Sequence, residues 1–302
     1  MSPRLEYYIV DVFTDVPFAG NPLAVVLGAE ALTTAQLQTL ARQFQLSETA
    51  FPLAATPQEV ARGVDYRLRI FTTTAELPFA GHPSVGSAWV MAQLGRVQPG
   101  SIVQLCLEGE LPLTVQPGGG PVELTGGRPF VSAPIDPSPL LAALGLADAD
   151  QPAGSPPPRL AGMGLDFAYL LVHPDALARA RPDLVALGRL DAAASAGPIG
   201  VYALAWDAVT RTARARMFSD DVAGGEDPAT GSAALGLGVW LVESGLLPAD
   251  GAGAYTVRQG VELGRPSTLR CTLEATGGAV VVARVSGAVA AVAQGWIEIP
   301  PA

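Results

Sequence analysis

The sequence predicts a mixed α+β protein, internally duplicated into two similar lobes, and three observations carry that prediction. The stretch TAELPFAGHPSVGSAWVMAQLG aligns with GGEDPATGSAALGLGVWLVESG so that Glu76, Pro78, Gly81, Gly86 and Gly95 fall 150 positions before Glu226, Pro228, Gly231, Gly236 and Gly245. Glu, Pro and Gly recurring in register mark two copies of one structural unit. Just upstream, RLRIFT from Arg67 answers RARMFS from Arg214 at an offset of 147, so each half carries strand, turn and helix in the same order. Stretches with strand-like patterning also outnumber helical ones in both halves.

The elements follow in chain order. YYIVDVF reads as a strand, and TTAQLQTLARQF sets Leu37, Leu40, Ala41 and Phe44 on one face of an amphipathic helix. TAFPLA is a second apolar strand, and strands near SIVQLCLEG, LPLTVQ and VELTG close the first half. The proline-bearing PFVSAPIDPSP (129–139) is expected to cross to the second half, and AGSPPPRL to be a surface excursion. The final strand, GWIEIP, is expected to pair back onto the first lobe, because a terminal strand needs a partner for its backbone groups. The expected lobes are 1–130, with 290–302 returning to it, and 131–289.

A chain of 302 residues that is 49% apolar can bury a core in each lobe. Its formal net charge of −10, with no Lys/Arg run, argues against nucleic acid as a partner. Arg4, Glu6, Asp11 and Asp15 interrupt the apolar run a signal peptide needs, so a cytoplasmic location is expected. Pro78, Gly81, Pro83 and Gly86 break the longest uncharged stretch, and no membrane segment is predicted. The two cysteines, Cys106 and Cys271, lie in strand-like runs and read as buried structural thiols. With only His82 and His173 as histidines, no metal site is predicted, and His173 reads as structural.

The repeated turn is where chemistry is expected. EDPATGSA sets carboxylates, proline and hydroxyls before an apolar helix, a pattern that suits helix capping. A helix N-terminus also presents unpaired N–H groups and partial positive charge to an anion. Duplication suggests two such turns facing one pocket between the lobes, with Gly81 and Gly231 letting a substrate carboxylate approach the backbone. Glu48 in LSETAF stands between a helix and an apolar strand, where lost hydration raises a carboxyl pKa toward a proton-transfer role. His82 follows Gly81 at the start of the first repeat helix and can donate or relay a proton. Asp227 has Leu77 as its counterpart in the first turn, which makes the pocket asymmetric in acid; helix capping is its other role. The Arg-x-Arg pairs at Arg67, Arg69 and at Arg214, Arg216 read as solvated strand faces.

Five segments in order, VDVFTDVPFAGNPLAVV, LSETAF, LPFAGHPSVGSA, GGEDPATGSA and QGVELGRPS, resemble the PhzF-like, phenazine-biosynthesis family over nearly the whole chain. The resemblance implies the diaminopimelate epimerase-like fold, two lobes of mixed sheet each wrapped around a central helix with the site between them. It implies a cofactor-independent isomerase, similar to trans-2,3-dihydro-3-hydroxyanthranilate isomerase, with Glu48 as general acid/base and His82 and Asp227 beside it. Ser47, Gly81, Thr230, Gly231 and Ser232 are the expected substrate-binding residues, the substrate a small cyclic carboxylate, and the assembly a homodimer. The cysteine pair of racemases with this fold should fall at Ala80 and Thr230, so a two-thiol mechanism is disfavoured. A non-catalytic anion-binding protein and an epimerase or dehydratase of amino or hydroxy acids are the alternatives.

Overall fold

The computed structural model describes residues 4–193 and 200–301. The chain divides into two compact units, the first running to Thr125 and resuming at Ser286, the second spanning Gly126–Val285. Among the described residues no helix is long and apolar enough to cross a membrane.

In the first unit, Arg4–Val12 pairs antiparallel with Val289–Glu298 on one side and with Asn21–Leu27 on the other. Asn21–Leu27 then runs parallel to Glu48–Ala54, which pairs antiparallel with Tyr66–Phe71. Tyr66–Phe71 lies parallel to Gly100–Cys106, and Gly109–Val115 follows antiparallel. The second unit repeats this order of pairings. Arg159–Met163 takes Pro129–Pro134 and Asp166–Leu171 as antiparallel neighbours, and Asp166–Leu171 runs parallel to Val201–Asp207. Thr212–Phe218 follows antiparallel, Gly251–Gln259 parallel and Ser267–Thr276 antiparallel. The proline-bearing segment is therefore structured: Pro129–Pro134 is a strand of the second unit and Pro137–Ala143 a helix with Asp136 as its N-cap. Its counterpart in the first unit is the last strand of the chain, Val289–Glu298.

Each sheet holds a helix against one face and smaller helices against the other. Gly231–Val242 is buried along its whole length, as a helix apolar on every side must be, and packs on Arg159–Met163 and Ser267–Thr276. Gly81–Gln93 is buried from Gly81 through Ala88. On the opposite face of the first sheet, the amphipathic helix Thr34–Phe44, closed by a capping box between Thr33 and Gln36, packs Leu37, Leu40 and Ala41 against Leu5, Val26, Phe51 and Phe71. In the second unit, Leu140, Leu141, Ala176, Leu177 and Leu187 cover Leu170, Ala203 and Phe218 in the same way.

The repeated glycines have separate physical reasons. Gly95 and Gly245 end the two long helices at φ of 65° and 69°, the left-handed conformation in which glycine carries no side-chain penalty. At Gly86 a Cβ would stand 2.6 Å from Leu23 Cδ2, and at Gly236 it would stand 2.9 Å from the Cα of Gly162, so these two let helix and sheet approach closely. Because the buried Tyr169 hydroxyl, held by its bond to the Ala233 carbonyl, and the Gly162 backbone both block the second position, Gly236→Ala is expected to cost about 1–3 kcal/mol. A denaturant titration should show this as a lowered midpoint with unchanged slope.

Candidate active site

Three elements of the first unit bring their N-terminal ends together. Asn21 opens one strand, Glu48 opens its parallel neighbour with Leu23 and Glu48 in register, and His82 stands second in the Gly81–Gln93 helix. His82 Nε2 lies 3.3 Å from Glu48 Oε2, with the two side chains 6% and 17% exposed. On the other side of the ring, Nδ1 lies 3.2 Å from Nδ2 of the fully buried Asn21. Burial pushes the imidazole pKa down to about 3, which favours the neutral ring at neutral pH. Ser47 is half-buried directly before Glu48.

The turn leading into each long helix is held by a bidentate ion pair. Arg69 Nε and Nη2 donate to the two oxygens of Glu76 at 2.6 Å each. Arg216 makes the same two bonds to Glu226, at 2.8 and 2.6 Å. Each guanidinium also lies over a ring two residues along its strand, Phe71 at 5.1 Å and Phe218 at 4.8 Å. The expectation of solvated arginine faces is thus corrected at these two positions. Arg69 is only 25% exposed, and Arg216, at 4%, is buried beneath the Pro174–Arg179 helix, its Nη1 donating to the carbonyls of Leu177 and of the C-cap Ala180.

Beyond the clamp, the two turns differ. In register terms Leu77 pairs with Ile70 where Asp227 pairs with Met217, so an apolar residue in one turn is replaced by a buried acid in the other. The Thr230 hydroxyl donates to Asp227 Oδ2 at 2.5 Å instead of capping the helix, and neither Ala80 nor Thr230 makes a side-chain cap. The capping role expected of this turn is therefore not taken up by these groups. Among the described residues the backbone N–H groups of Gly81, His82, Gly231 and Ser232 have no acceptor, which leaves orphan donors at each helix start. Neither Gly81 nor Gly231 has a positive φ, so the backbone does not require glycine there.

Two glutamines anchor the turns, and sequence reasoning assigned neither a role. Gln259 Nε2 donates to the Asp227 carbonyl at 2.8 Å and to Thr230 Oγ1 at 3.0 Å, while its Oε1 accepts from Tyr202 at 2.9 Å. In the first unit Gln104 accepts from Tyr66 at 2.9 Å and donates to Ser84, whose hydroxyl donates to the Ala80 carbonyl. Gln259 does lie in QGVELGRPS, which marks its segment but not its contacts.

Cys106 and Cys271 are buried free thiols, each raised by burial, Cys271 to about 12, and neither is poised as a thiolate. His173 is the N-cap of Pro174–Arg179. Among the described residues no three His, Cys, Asp or Glu side chains gather as a metal site would require.

The duplicated sheet-and-helix unit is the diaminopimelate epimerase-like fold, and the relatives with which the chain aligns make it an isomerase. The family model described as phenazine biosynthesis-like protein matches residues 10–295, and the chain belongs to that family. It is 35% identical to an uncharacterised isomerase of Mesorhizobium japonicum, covering 97% of this chain and 99% of the relative. It is 34% identical to the trans-2,3-dihydro-3-hydroxyanthranilate isomerase of Pseudomonas aeruginosa, covering 96% and 98%. A solved structure described as a predicted epimerase from Pseudomonas aeruginosa is 32% identical, with a TM-score of 0.78 over 99% of this chain and 100% of that one.

The clamps differ in burial, which separates their expected energetics. Arg216→Met strands a buried carboxylate at Glu226 and is expected to cost about 3–5 kcal/mol. Arg69→Met, at the more exposed pair, is expected to cost roughly 1 kcal/mol. Equilibrium unfolding of both variants checks the order, and equal losses would contradict it.

Proposed function

We propose that the protein is a cofactor-independent isomerase that moves a proton between carbons of a small cyclic carboxylate, similar to trans-2,3-dihydro-3-hydroxyanthranilate, with Glu48 as general acid/base. The observation that carries this reading is the contact between the Glu48 carboxylate and the buried, neutral His82 ring. In the proposed cycle a C–H bond of the substrate breaks as its proton passes to Glu48. The electron pair shifts through the adjacent double bond, and the same carboxyl group delivers the proton to the distal carbon. Net charge and atom count are unchanged, so no redox partner enters the balance. His82 Nε2, 3.3 Å from the carboxylate, is placed to support it by hydrogen bonding as charge develops and supplies no second charge.

The uncapped N–H groups at Gly81 in the first unit, with Ser47, and at Gly231 in the second, with Asp227, Thr230 and Ser232, are each proposed as an anion-binding position suited to a substrate carboxylate. The homodimer implied by the family resemblance, and the cytoplasmic location expected from the charged N-terminal segment, complete this reading. A second reading, epimerisation, draws support from the description of the 32% identical structure as a predicted epimerase. Epimerisation would need a second base, Asp227 or His82, and product stereochemistry separates the two reactions.

With trans-2,3-dihydro-3-hydroxyanthranilate and a panel of cyclic amino and hydroxy acids, Glu48→Gln should lower kcat about 10²–10⁴-fold while ligand affinity persists. Full turnover by Glu48→Gln on a substrate the wild type converts would overturn the assignment. Ser232→Ala should mainly raise KM, which steady-state kinetics reads directly.

A further inference from the structure

Asn21 lies in no turn and carries no charge, yet it is fully buried with its amide against the ring of His82. Its position is fixed by the sheet: it opens the Asn21–Leu27 strand, and its partner across that strand is Val12, the last residue of Arg4–Val12. The following strand, parallel to it, begins at Glu48. His82 therefore has an amide on its Nδ1 side and a carboxylate on its Nε2 side, at 3.2 and 3.3 Å.

A neutral imidazole carries one proton, and the partner at each nitrogen decides which atom holds it. The Asn21 Nδ2 group is a donor only, so the Nδ1 it faces must present a lone pair. An ionised Glu48 is an acceptor only, so the Nε2 it faces must carry the proton. Both ends of the ring thus require the same tautomer. We infer that Asn21 is a positioning residue that locks His82 as the Nε2–H tautomer, making the ring a fixed hydrogen-bond donor to Glu48 and denying it any role as a second base at that atom.

This deepens the proposed function and rests on it only for its catalytic consequence, because the tautomer itself exists without substrate. Nε2 has no hydrogen bond of regular geometry among the described residues and is buried, so its proton is held in reserve opposite Glu48. Such contacts are often long in the free enzyme and tighten as charge develops. A ring free to exchange tautomers would accept a proton from Glu48 as readily as support it. The carboxyl group would then lose the proton it must redeliver.

The test is 15N NMR of histidine-labelled full-length protein at neutral pH. With two histidines in the chain, His173→Gln assigns the spectrum, and His173 does not touch the site. Wild type should show a pyridine-type Nδ1 and a pyrrole-type Nε2 for His82. Asn21→Asp keeps the shape of the side chain but removes the donor, and should move the proton onto Nδ1 or protonate both nitrogens. The same variant should lose about 10-fold or more in kcat with little change in KM. Asn21→Ser, which retains a hydroxyl donor, should restore part of the wild-type ring signature. A wild-type ring protonated at Nδ1, or a tautomer unmoved by Asn21→Asp in a folded variant, would overturn the inference. Because the spectrum needs no turnover, its failure is distinct from failure of the isomerase reading, which the Glu48→Gln kinetics decide. A folded Asn21→Asp variant is recognised by unchanged His173 signals and unfolding midpoint.

Discussion

The bidentate arginine–glutamate clamp is the constraint on which each half of the molecule depends. Arg69 and Arg216 sit on strands, and Glu76 and Glu226 start the turns that lead, five residues later, into Gly81 and Gly231. Two parallel N–H···O bonds fix a carboxylate in direction as well as distance, which a single contact cannot do. The turn therefore leaves its strand at a set angle, and the helix begins with its first N–H groups uncapped. A capping side chain at Ala80 or Thr230 would satisfy those donors internally. Here the Thr230 hydroxyl is directed to Asp227, and Ala80 has none to offer.

The same clamp serves two different environments. At Arg216 the carbonyls of Leu177 and Ala180 complete the hydrogen bonding of a guanidinium removed from water, and the Phe218 ring covers one face. Burying this pair carries a desolvation cost that only full pairing offsets. At Arg69 water supplies part of that solvation, and the pair acts more as a geometric guide. In the first unit the clamp holds the start of the helix on which His82 faces Glu48. Proton transfer needs a carboxyl group whose partner stays neutral, since an imidazolium at 3.3 Å would hold the carboxylate ionised and weaken it as a base.

Much of this was legible in the sequence because glycine, proline and glutamate report local backbone needs. Gly95 and Gly245 end helices in the left-handed region, and Gly86 and Gly236 admit a neighbouring sheet, so the repeat reported real constraints at each position. The apolar face of Thr34–Phe44 was readable for the same reason. Arg216 was not, because whether a strand residue is solvated depends on what covers it, here a helix some forty residues earlier in the chain. Gln104, Gln259 and Asn21 were missed for a related reason. An amide on a strand leaves no periodic signal, and its partners lie far away in sequence, 61 residues in the case of Asn21 and His82. The candidate acid, Glu48, was visible from its junction; its contact with His82 required the fold.

The central claim, that one carboxyl group both removes and returns the proton, is tested most directly by substrate deuterated at the carbon that loses it. In ordinary water the account predicts that part of the label reappears at the receiving carbon of the product, as mass spectrometry and NMR would show, and that Glu48→Gln abolishes this transfer. Product formed rapidly with no retained label and with inverted stereochemistry would contradict it, because that pattern requires a second, opposed base.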